Sequence, residues 1–393
     1  ATKNRFNIAY FAFDQFIPSK HAGFVHTYSI VRALKELGND VTLYGIPTGL
    51  DLVNLLKWSD SYEGIPLNYV RFIVSFKLRY KLFYPLNFMS YHKTLDVLRK
   101  QNPDLIHERF HLPNPYSIKI GDKLKIPKVL EVNSLYIEEG VYTGNAKEIA
   151  LKQRAQLLKQ CEAIITQTET LKEMIGRVTD KPVFVVPNGV DTKKFNPNLF
   201  SKELREKIGV KEDEVLVTFL GSFRRWHGVN FIPEIAKRIK NKKVKFLLIG
   251  GGELFEEIKK VKTENMILTG SIRHEEVPEY LASSDILIAP FDANYFGEND
   301  FWWNPVKLFE YVSSGKPVIS YDYEEVRKIV RGAGLLAEVG NIDDFVDKLE
   351  YLIENESERR KMGIIGRGIA VKEYDWKKRG EETVEVYKKV LRS

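Results

Sequence analysis

The sequence predicts an α/β protein made of two doubly wound domains. Its 393 residues exceed what one ordinary hydrophobic core holds together. Short apolar runs alternate with amphipathic helical segments, which is typical of parallel sheets covered by helices on both faces. This alternation restarts after "PNGVDTKKFNPN" (187–198), a segment rich in Pro, Asn and Gly. We therefore predict domains over 1–187 and 188–374.

The first domain opens with a predicted strand, "FNIAYFAF" (6–13). In "VHTYSIVRALKELG" (25–38), apolar residues recur at three- and four-residue steps, which predicts a helix that ends at Gly38. Further apolar runs predict strands at 40–46, 104–110, 128–133, 163–168 and 182–191.

The second domain repeats this order, with predicted strands at 214–223, 244–252, 266–272, 285–291 and 316–322. In doubly wound sheets, ligands bind beyond the carboxyl ends of the strands. With two such domains, we expect the site in a cleft between them.

Composition narrows the class of protein. No apolar run is long enough to span a bilayer, and a single cysteine, Cys161, fits a reducing, cytoplasmic setting. The net charge of +7 is modest and dispersed, and no nucleic-acid-binding motif is present. We expect no nucleic-acid partner; the charge suits an anionic ligand or an anionic membrane surface. Abundant Lys and Glu with few Cys and Met follow the trend of thermophile proteins.

The segment "NPVKLFEYVSSGKPVIS" (304–320) carries the first functional signal. Lys307 and Glu310 are three residues apart in a predicted helix, so they share a face. Pro305 is expected as an early helical residue, which places Lys307 in the first turn. A cation is unfavourable there unless an anion joins it. Glu310 can accept hydrogen bonds from two adjacent hydroxyls, as in a ribose, or simply favour the helix dipole.

Three other strand ends carry related groups. Arg224, Arg225 and His227 follow one strand, and the arginines offer donors to phosphate oxygens. Gly250, Gly251 and Gly252 precede a helix, where they would let an anion approach the backbone. A solvated arginine pair and a plain helix-starting turn are the alternatives. Together these features predict a nucleoside diphosphate, with its base near Ile272 and Arg273.

In order, "VVPNGVDTKKFNP", "FLGSFRRWHGVNF", "LLIGGGELFEEIKK", "ILTGSIRHEEVPEYLASSDILIAPF" and "NPVKLFEYVSSGKPVIS" resemble the C-terminal half of glycosyltransferase family 4. "IPSKHAGFVHTYSIVRALKELGNDVTLYG" resembles that family's N-terminal glycine loop and first helix. The resemblance implies a GT-B fold, with two Rossmann-like domains facing each other across a cleft. It also implies sugar transfer with retention and without metal, and a C-terminal helix (375–393) that completes the first domain.

The resemblance assigns roles by position. Glu310 matches the second glutamate of a paired-glutamate motif, which holds the donor ribose. Lys307 and the backbone N–H groups near Val306 and Leu308 match a diphosphate cradle, and Gly23 matches the loop that closes over it. The complete donor-binding prediction comprises Gly23, Arg224, His227, Gly250, Gly251, Ile272, Arg273, Trp303, Asn304, Val306 and Leu308, and the catalytic prediction comprises Lys307, Arg225 and Glu310.

Three positions depart from the family pattern. Trp302 replaces the first motif glutamate, so Asp300 or Asn304 is a candidate to substitute for it. Ser222 and His227 replace an arginine and a lysine, a charge that Arg224 or Arg225 could supply.

The third departure is Asn133, which replaces a histidine. His107 and Glu131 are nearby candidates for contacts to the sugar or the acceptor. His26, beside the glycine loop, is a further candidate, with an ordinary helix-face histidine as the alternative.

The segment "FKLRYKLFYPLNFMSYHK" (76–93) interleaves bases with apolar residues. It suits either an anionic membrane surface with a lipid-linked acceptor, or an ordinary packed helix with extended Lys and Arg side chains. The first alternative would add peripheral membrane contact to a cytoplasmic location.

We predict a hexosyltransferase that uses a UDP-sugar, or next a GDP-sugar, and a glycan, lipid-linked or small-molecule acceptor. Lys307 and nearby arginines would stabilise the charge on the leaving diphosphate, so no metal or other cofactor is expected. Two alternatives stay open: an epimerase of nucleotide sugars, and a relative that binds nucleotide without turnover, which the missing carboxylate at Trp302 favours.

Overall fold

The computed structural model describes residues 5–17, 22–47, 59–69, 84–110, 116–135, 144–292, 294 and 301–392. The chain forms two compact units. Unit 1 comprises Ala1–Pro187 and Trp376–Ser393, and unit 2 comprises Asn188–Asp375.

Among the described residues, unit 1 contains one eight-stranded sheet of order β3-β4-β2-β1-β5-β6-β7-β8. Its strands are β1 (Asn7–Ile17), β2 (Asp40–Pro47), β3 (Ser59–Tyr62), β4 (Ile65–Tyr69), β5 (Leu105–Arg109), β6 (Lys128–Glu131), β7 (Ala163–Thr166) and β8 (Val183–Val185). All neighbours pair in parallel except the β3–β4 hairpin. Its helices before the boundary are α1 (Ala22–Glu36), α2 (Tyr84–Gln101), α3 (Tyr116–Leu124), α4 (Gly144–Lys159) and α5 (Glu169–Gly176).

The described part of unit 2 contains a fully parallel sheet of order β11-β10-β9-β12-β13-β14. Its strands are β9 (Val215–Leu220), β10 (Val244–Ile249), β11 (Met266–Gly270), β12 (Ile286–Ala289), β13 (Val318–Tyr321) and β14 (Gly334–Ala337). Its α-helices are α6 (Lys202–Lys207), α7 (Ile232–Arg238), α8 (Phe255–Val261), α9 (Val277–Ala282), α10 (Val306–Ser313), α11 (Glu324–Val330), α12 (Ile342–Glu354) and α13 (Glu356–Ile369).

The chain returns to unit 1 with α14 (Trp376–Val390), which packs on α1. Between α13 and α14, Ala370–Tyr374 forms a π-helical turn. The two ends of unit 2 meet there, because Val190 forms a parallel β-bridge with Asp375 and its N–H donates to the Tyr374 carbonyl.

The predicted α/β class and parallel sheets are confirmed, because buried parallel strands appear in sequence as unbroken apolar runs. Several boundaries differ from the prediction. The strand predicted at 182–191 is reduced to Val183–Val185, two residues short of Pro187, which has no N–H to donate to a sheet. Helix α1 begins at Ala22 rather than residue 25, so Gly23 lies in its first turn.

Candidate functional site

In unit 2, candidate site residues gather where the strand order reverses. Strands β9 and β12 are neighbours, but their connections lead to opposite sides of the sheet, which is where ligands bind in doubly wound folds. The loop after β9 carries His227, the segment after β12 carries Phe291, and α10 carries Lys307 and Glu310.

Lys307 lies in an aromatic cage beside a histidine. Its Nζ is 4.6 Å from the ring centroid of Phe219 and 5.5 Å from that of Phe291. The same atom is 3.4 Å from Nδ1 of His227. Gly221 permits this approach, because a Cβ there would come within 2.3 Å of the ammonium. Pro305, expected inside α10, instead precedes the helix with ψ of 117°, so Lys307 is the second helical residue.

The charge of Lys307 is poorly compensated. Burial lowers its pKa to about 7, against a smaller upward effect of Glu310. Within the described part of the chain, its ammonium forms no ion pair. Burial also lowers the pKa of His227 well below its usual value, and the charges of Lys307 and Arg224 lower it further. His227 Nδ1 lies 2.9 Å from the carbonyl of Ser222, which can only accept a hydrogen bond. A half-buried cation that forms no ion pair with the described residues marks a place for an anion.

The glycines after β10 have a packing role. Gly250, at φ of +136°, lies so close to Gly221 that a Cβ would come within 1.9 Å of the Gly221 carbonyl oxygen. The N–H of Gly250 donates to Gly270, and Gly251 accepts from Phe223. Helix α8 begins only at Phe255, after an intervening turn. These contacts hold the loop after β9 in place, which is a different use from the predicted anion approach.

Glu310 is the second buried charge of the site, with 7% of its surface exposed. Burial raises its pKa to about 7, and the charges of Lys194 and Lys307 act in the opposite direction. The basic side chain nearest to its carboxylate among the described residues is His274, whose Nε2 lies 3.9 Å from Oε1. His274 in turn lies beside Lys194, with 2.7 Å between Nδ1 and Nζ.

The three predicted arginines, Arg224, Arg225 and Arg273, are all exposed to solvent. Arg224 stacks over Trp226, with 4.9 Å between its guanidinium carbon and the ring centroid. Arg225 is exposed at the start of a 3₁₀ turn, Arg225–His227. Arg273 is also exposed, and its Nε donates to Glu276 at 3.1 Å. Ile272, in contrast, packs against the hydrophobic core.

The residues around the missing glutamate are largely engaged by the protein. Trp302 is buried, and Trp303 packs edge-on against His227 with 6.1 Å between ring centroids. The side-chain oxygen of Asn304, a candidate substitute, accepts from the Asn188 N–H at 2.6 Å. Asp300, the other candidate, lies outside the described residues.

The predicted diphosphate cradle is partly occupied. The N–H of Leu308 donates to the Pro305 carbonyl at 3.1 Å. That bond follows from a tight first turn of α10. The N–H groups of Val306 and Lys307, by contrast, have no backbone partner among the described residues.

Unit 1 holds a second cluster, centred on Glu131 at the end of β6. Its carboxylate accepts hydrogen bonds from Tyr10 at 2.7 Å, Arg109 at 3.0 Å and Asn133 at 2.6 Å. Nε2 of His107 lies 3.0 Å from Oε2, and Nε2 of His26 lies 2.7 Å from Oε1. Burial alone would raise the Glu131 pKa, but the histidines and Arg109 hold it well below its usual value.

The hydrogen bonds fix the tautomer of His107. An ionised carboxylate only accepts, so Nε2 of His107 carries the proton. In the neutral ring, Nδ1 then accepts from the hydroxyl of Tyr387 on α14, at 2.6 Å. A pocket beside the cluster is lined by His26, Asn133, Gln167, Trp376 and Thr383, with further apolar residues. The structure thus brings together the four predicted residues His26, His107, Glu131 and Asn133.

Sequence reasoning missed several members of both clusters, namely Tyr10, Arg109, Lys194, His274 and Tyr387. His274 follows β11 in the motif already singled out, so its position at a strand end was a usable signal. The others are distant in sequence from the residues they contact.

The described residues contain neither a metal-binding cluster nor a membrane-spanning helix. Within them, no three His, Cys, Asp or Glu side chains gather as metal ligands would. No described helix is long and apolar enough to cross a bilayer.

The two Rossmann-like units have the GT-B fold of solved glycosyltransferases. Sucrose-phosphate synthase of Thermosynechococcus elongatus shares this fold, with a TM-score of 0.77 and 16% identity, covering 99% of this chain and 100% of that one. HepE of Anabaena in complex with UDP-glucose gives a TM-score of 0.74 and 15% identity, covering 98% and 100%.

The sequence comparisons identify the family. Residues 23–194 match the family model described as glycosyltransferase family 4, and residues 200–368 match that of glycosyl transferases group 1. An uncharacterised glycosyltransferase of Methanocaldococcus jannaschii is 20% identical over 380 residues, which are 93% of each chain. The chain belongs to glycosyltransferase family 4, and the predicted family and fold are confirmed.

Proposed function

We propose that the protein transfers a hexose from a UDP-sugar to a hydroxyl-bearing acceptor, with retention of configuration and without a metal. One observation carries the donor assignment: a half-buried Lys307 and a buried Glu310 lie three residues apart on α10, and neither side chain has an oppositely charged lysine, arginine or carboxylate partner in an ion pair among the described residues. A diphosphate bound at Lys307 and a ribose bound at Glu310 would satisfy both groups at once.

The electrostatics of Lys307 suit a leaving diphosphate. In the transition state, negative charge grows on the phosphate oxygen that departs from the sugar. The Lys307 ammonium acts from an aromatic, water-poor cage, where its attraction for that charge is stronger than in water. The N–H groups of Val306 and Lys307 lie at the start of α10, where the helix dipole also favours an anion. With this cation in place, the reaction has a charge stabiliser that is not a metal.

The choice of UDP over GDP rests on the solved relative of the same fold that was crystallised with UDP-glucose. Ile272, after β11, would lie near the base and would tolerate either ring. GDP-sugars are therefore the next donors to test.

For the acceptor, we propose the end of β6 in unit 1, where His26, His107, Glu131 and Asn133 lie together. The pocket that these residues line is no larger than a water molecule, so a sugar would bind outside it. A glycan or lipid-linked glycan is the acceptor to test first. Lipid linkage would bring peripheral contact with a membrane.

Calorimetric titration with UDP, GDP and ADP tests the donor site. We expect UDP to bind best and Glu310→Ala to weaken that binding by about tenfold, since hydrogen bonds to a charged group are lost. Glu324→Ala, an exposed glutamate on another helix of unit 2, is the matched control and should bind UDP normally. Equal or absent binding of the three nucleotides, unaffected by Glu310→Ala, would refute the donor site.

Turnover then separates the reaction classes. A transferase releases UDP only when an acceptor is present, whereas an epimerase keeps the nucleotide attached to the sugar. A relative that only binds would consume no donor in either case.

A further inference from the structure

Glu310 is the end of a row of three side chains from separate segments of unit 2. Lys194 comes from the turn Asp191–Phe195, where Asp191 accepts hydrogen bonds from the backbone N–H groups of Lys193 and Lys194. His274 comes from the loop after β11. The distances are 2.7 Å from Lys194 Nζ to His274 Nδ1 and 3.9 Å from His274 Nε2 to Glu310 Oε1.

The first contact sets the proton position on His274. A lysine ammonium donates hydrogen bonds and accepts none, so Nδ1 of His274 must be the acceptor. In the neutral ring the proton is then on Nε2, the nitrogen that faces Glu310. The ring itself is steadied by Phe195, which meets it edge-on with 6.2 Å between centroids.

The groups that face His274 favour the neutral ring. Burial lowers its pKa, Lys194 lowers it further, and Glu275 acts weakly in the other direction. A neutral His274 offers Glu310 an N–H donor rather than a full counter-charge. It therefore leaves the carboxylate short of partners.

The second contact leaves room for a ligand atom. At 3.9 Å, Nε2 and Oε1 are too far apart for a direct hydrogen bond. A hydroxyl oxygen about 2.8 Å from each atom would complete a triangle, accepting from Nε2–H and donating to Oε1. Glu310 alone offers only acceptors, whereas the pair offers one donor and one acceptor, which matches a hydroxyl.

We propose that His274 is a second hydroxyl-binding residue of the donor site, and that Lys194 is a positioning residue that presents its Nε2–H. The ligand group is one hydroxyl of a vicinal diol, on the ribose or on the transferred sugar. This inference rests on the proposed function, because it assumes a nucleotide sugar beside Glu310.

The test measures coupling between His274 and individual ligand hydroxyls. Calorimetry would compare UDP, 2′-deoxy-UDP, 3′-deoxy-UDP and UDP-glucose on the native protein, His274→Phe and His274→Gln. We expect His274→Phe to weaken UDP binding about 3- to 10-fold but to leave unchanged the affinity for the analogue that lacks the bridging hydroxyl. His274→Gln keeps an N–H donor and should recover most of the loss.

The arms distinguish the source of the hydroxyl. If His274→Phe weakens the binding of UDP but not that of one deoxy analogue, the bridging hydroxyl belongs to the ribose. A loss for UDP-glucose alone, with UDP unaffected, assigns it to the sugar. An equal loss for every ligand, deoxy analogues included, would mean a structural role and would overturn the inference.

The role of Lys194 has its own readout. Nitrogen-15 NMR of the ligand-free protein should show His274 protonated on Nε2, and Lys194→Met should remove that preference. Lys193→Met, an exposed neighbour in the same turn, is the control and should leave it intact. If His274 remains protonated on Nε2 in Lys194→Met, Lys194 has no positioning role.

Different binding results would refute the role of His274 and the donor site itself. If Glu310→Ala weakens UDP binding and His274→Phe weakens the binding of neither UDP nor UDP-glucose, the donor site stands and His274 is excluded. If no nucleotide binds to the native protein, both proposals are refuted.

Discussion

The two units each bury a glutamate in a candidate site, Glu131 at the end of β6 and Glu310 in the middle of α10, but the surroundings of the two carboxylates are opposite. Glu131 in unit 1 is surrounded by the side chains of Tyr10, His26, His107, Arg109 and Asn133. The side-chain carboxylate of Glu310 in unit 2 receives no hydrogen bond from the described residues, and its ion-pair partner among them is His274 at 3.9 Å. The Glu131 pKa is accordingly held well below its usual value, whereas burial raises the Glu310 pKa to about 7.

The difference separates a carboxylate that organises protein from one that awaits a ligand. A buried charge with many donors holds its neighbours in fixed orientations and tautomers. A buried charge with few donors costs stability, and that cost is offset only when a partner arrives. Burial alone, which the two residues share, does not reveal which role a glutamate plays; the count of donors around it does.

The largest expected effect is on stability and contrasts the two glutamates directly. Glu131→Gln should lower the free energy of unfolding by about 3–5 kcal/mol, because it removes the charge that Arg109 and the histidines surround. Glu310→Gln should leave it unchanged or raise it. Urea unfolding with hydrogen exchange of the β6 amides would measure both. Similar losses for both variants would refute the contrast.

Lys307 extends the contrast from stability to catalysis. Lys307→Met should reduce the donor-dependent rate by about 10²- to 10³-fold, since a group facing the leaving diphosphate is lost. The melting temperature of Lys307→Met should be equal to or higher than that of the native protein, because the substitution removes a half-buried cation that has no ion pair among the described residues. Steady-state kinetics test the expected loss of rate, and thermal unfolding tests the expected melting temperature. Loss of both activity and stability would show that Lys307 is structural.

The two glutamates should also give opposite pH dependence of stability. Glu131 binds a proton less readily folded than unfolded, so its contribution is present above its unfolded pKa near 4.5 and is lost as pH falls below it. Glu310 binds a proton more readily when folded, so stability should fall by on the order of 2 kcal/mol as pH rises from about 4.5 to 7.

Unfolding free energies of the native protein and Glu310→Gln between pH 4 and 8 would reveal the Glu310 contribution as their difference. Lys307 acts in a separate window: its folded pKa of about 7 lies below its unfolded value of 10.5, so its unfavourable effect is complete below pH 7 and fades as pH rises towards 10.5. A difference between the two proteins that does not vary with pH would contradict the raised pKa of Glu310.

The smallest expected effect concerns the exposed arginines. Arg224 stacks on Trp226 and its charge reaches His227, so Arg224→Ala should weaken UDP binding by about 3- to 10-fold. Arg225→Ala should change it less, although the sequence analysis favoured Arg225 as catalytic. Titrations at low and high salt would compare them, since contacts of exposed charges weaken as salt rises. A larger effect of Arg225→Ala would support the catalytic role predicted for Arg225.

The fold could be predicted largely because its strands are buried on both faces. "ILIA" at Ile286–Ala289, for example, is apolar throughout and could only be a core strand or helix segment. The hairpin β3–β4 and the short strand β14 were missed, because "SDSY" is polar and "GLLA", although apolar, is short and begins with a glycine. The start of α1 was misplaced because Gly23 is a poor helix former and was assigned to a loop.

Contacts in the site could be predicted only between residues that are close together in the sequence. Lys307 and Glu310 lie on one helix, so their spacing revealed the pair. Lys194 and His274 are 80 residues apart, and Tyr387 is 280 residues from His107, so nothing local indicates these contacts. The roles expected of the glycines after β10 also depended on loop packing that sequence does not show.

The joined ends of unit 2 bear on how the protein is made. Residues 188–375 form one uninterrupted stretch whose first and last segments are held together by the Val190–Asp375 bridge and by a 2.7 Å hydrogen bond from Thr192 Oγ1 to Asp375. Unit 1, by contrast, needs α14, which the ribosome produces only after all of unit 2. All of unit 2 is therefore synthesised before unit 1 is complete, and Glu131 and His107 acquire the hydrogen bond to Tyr387 last.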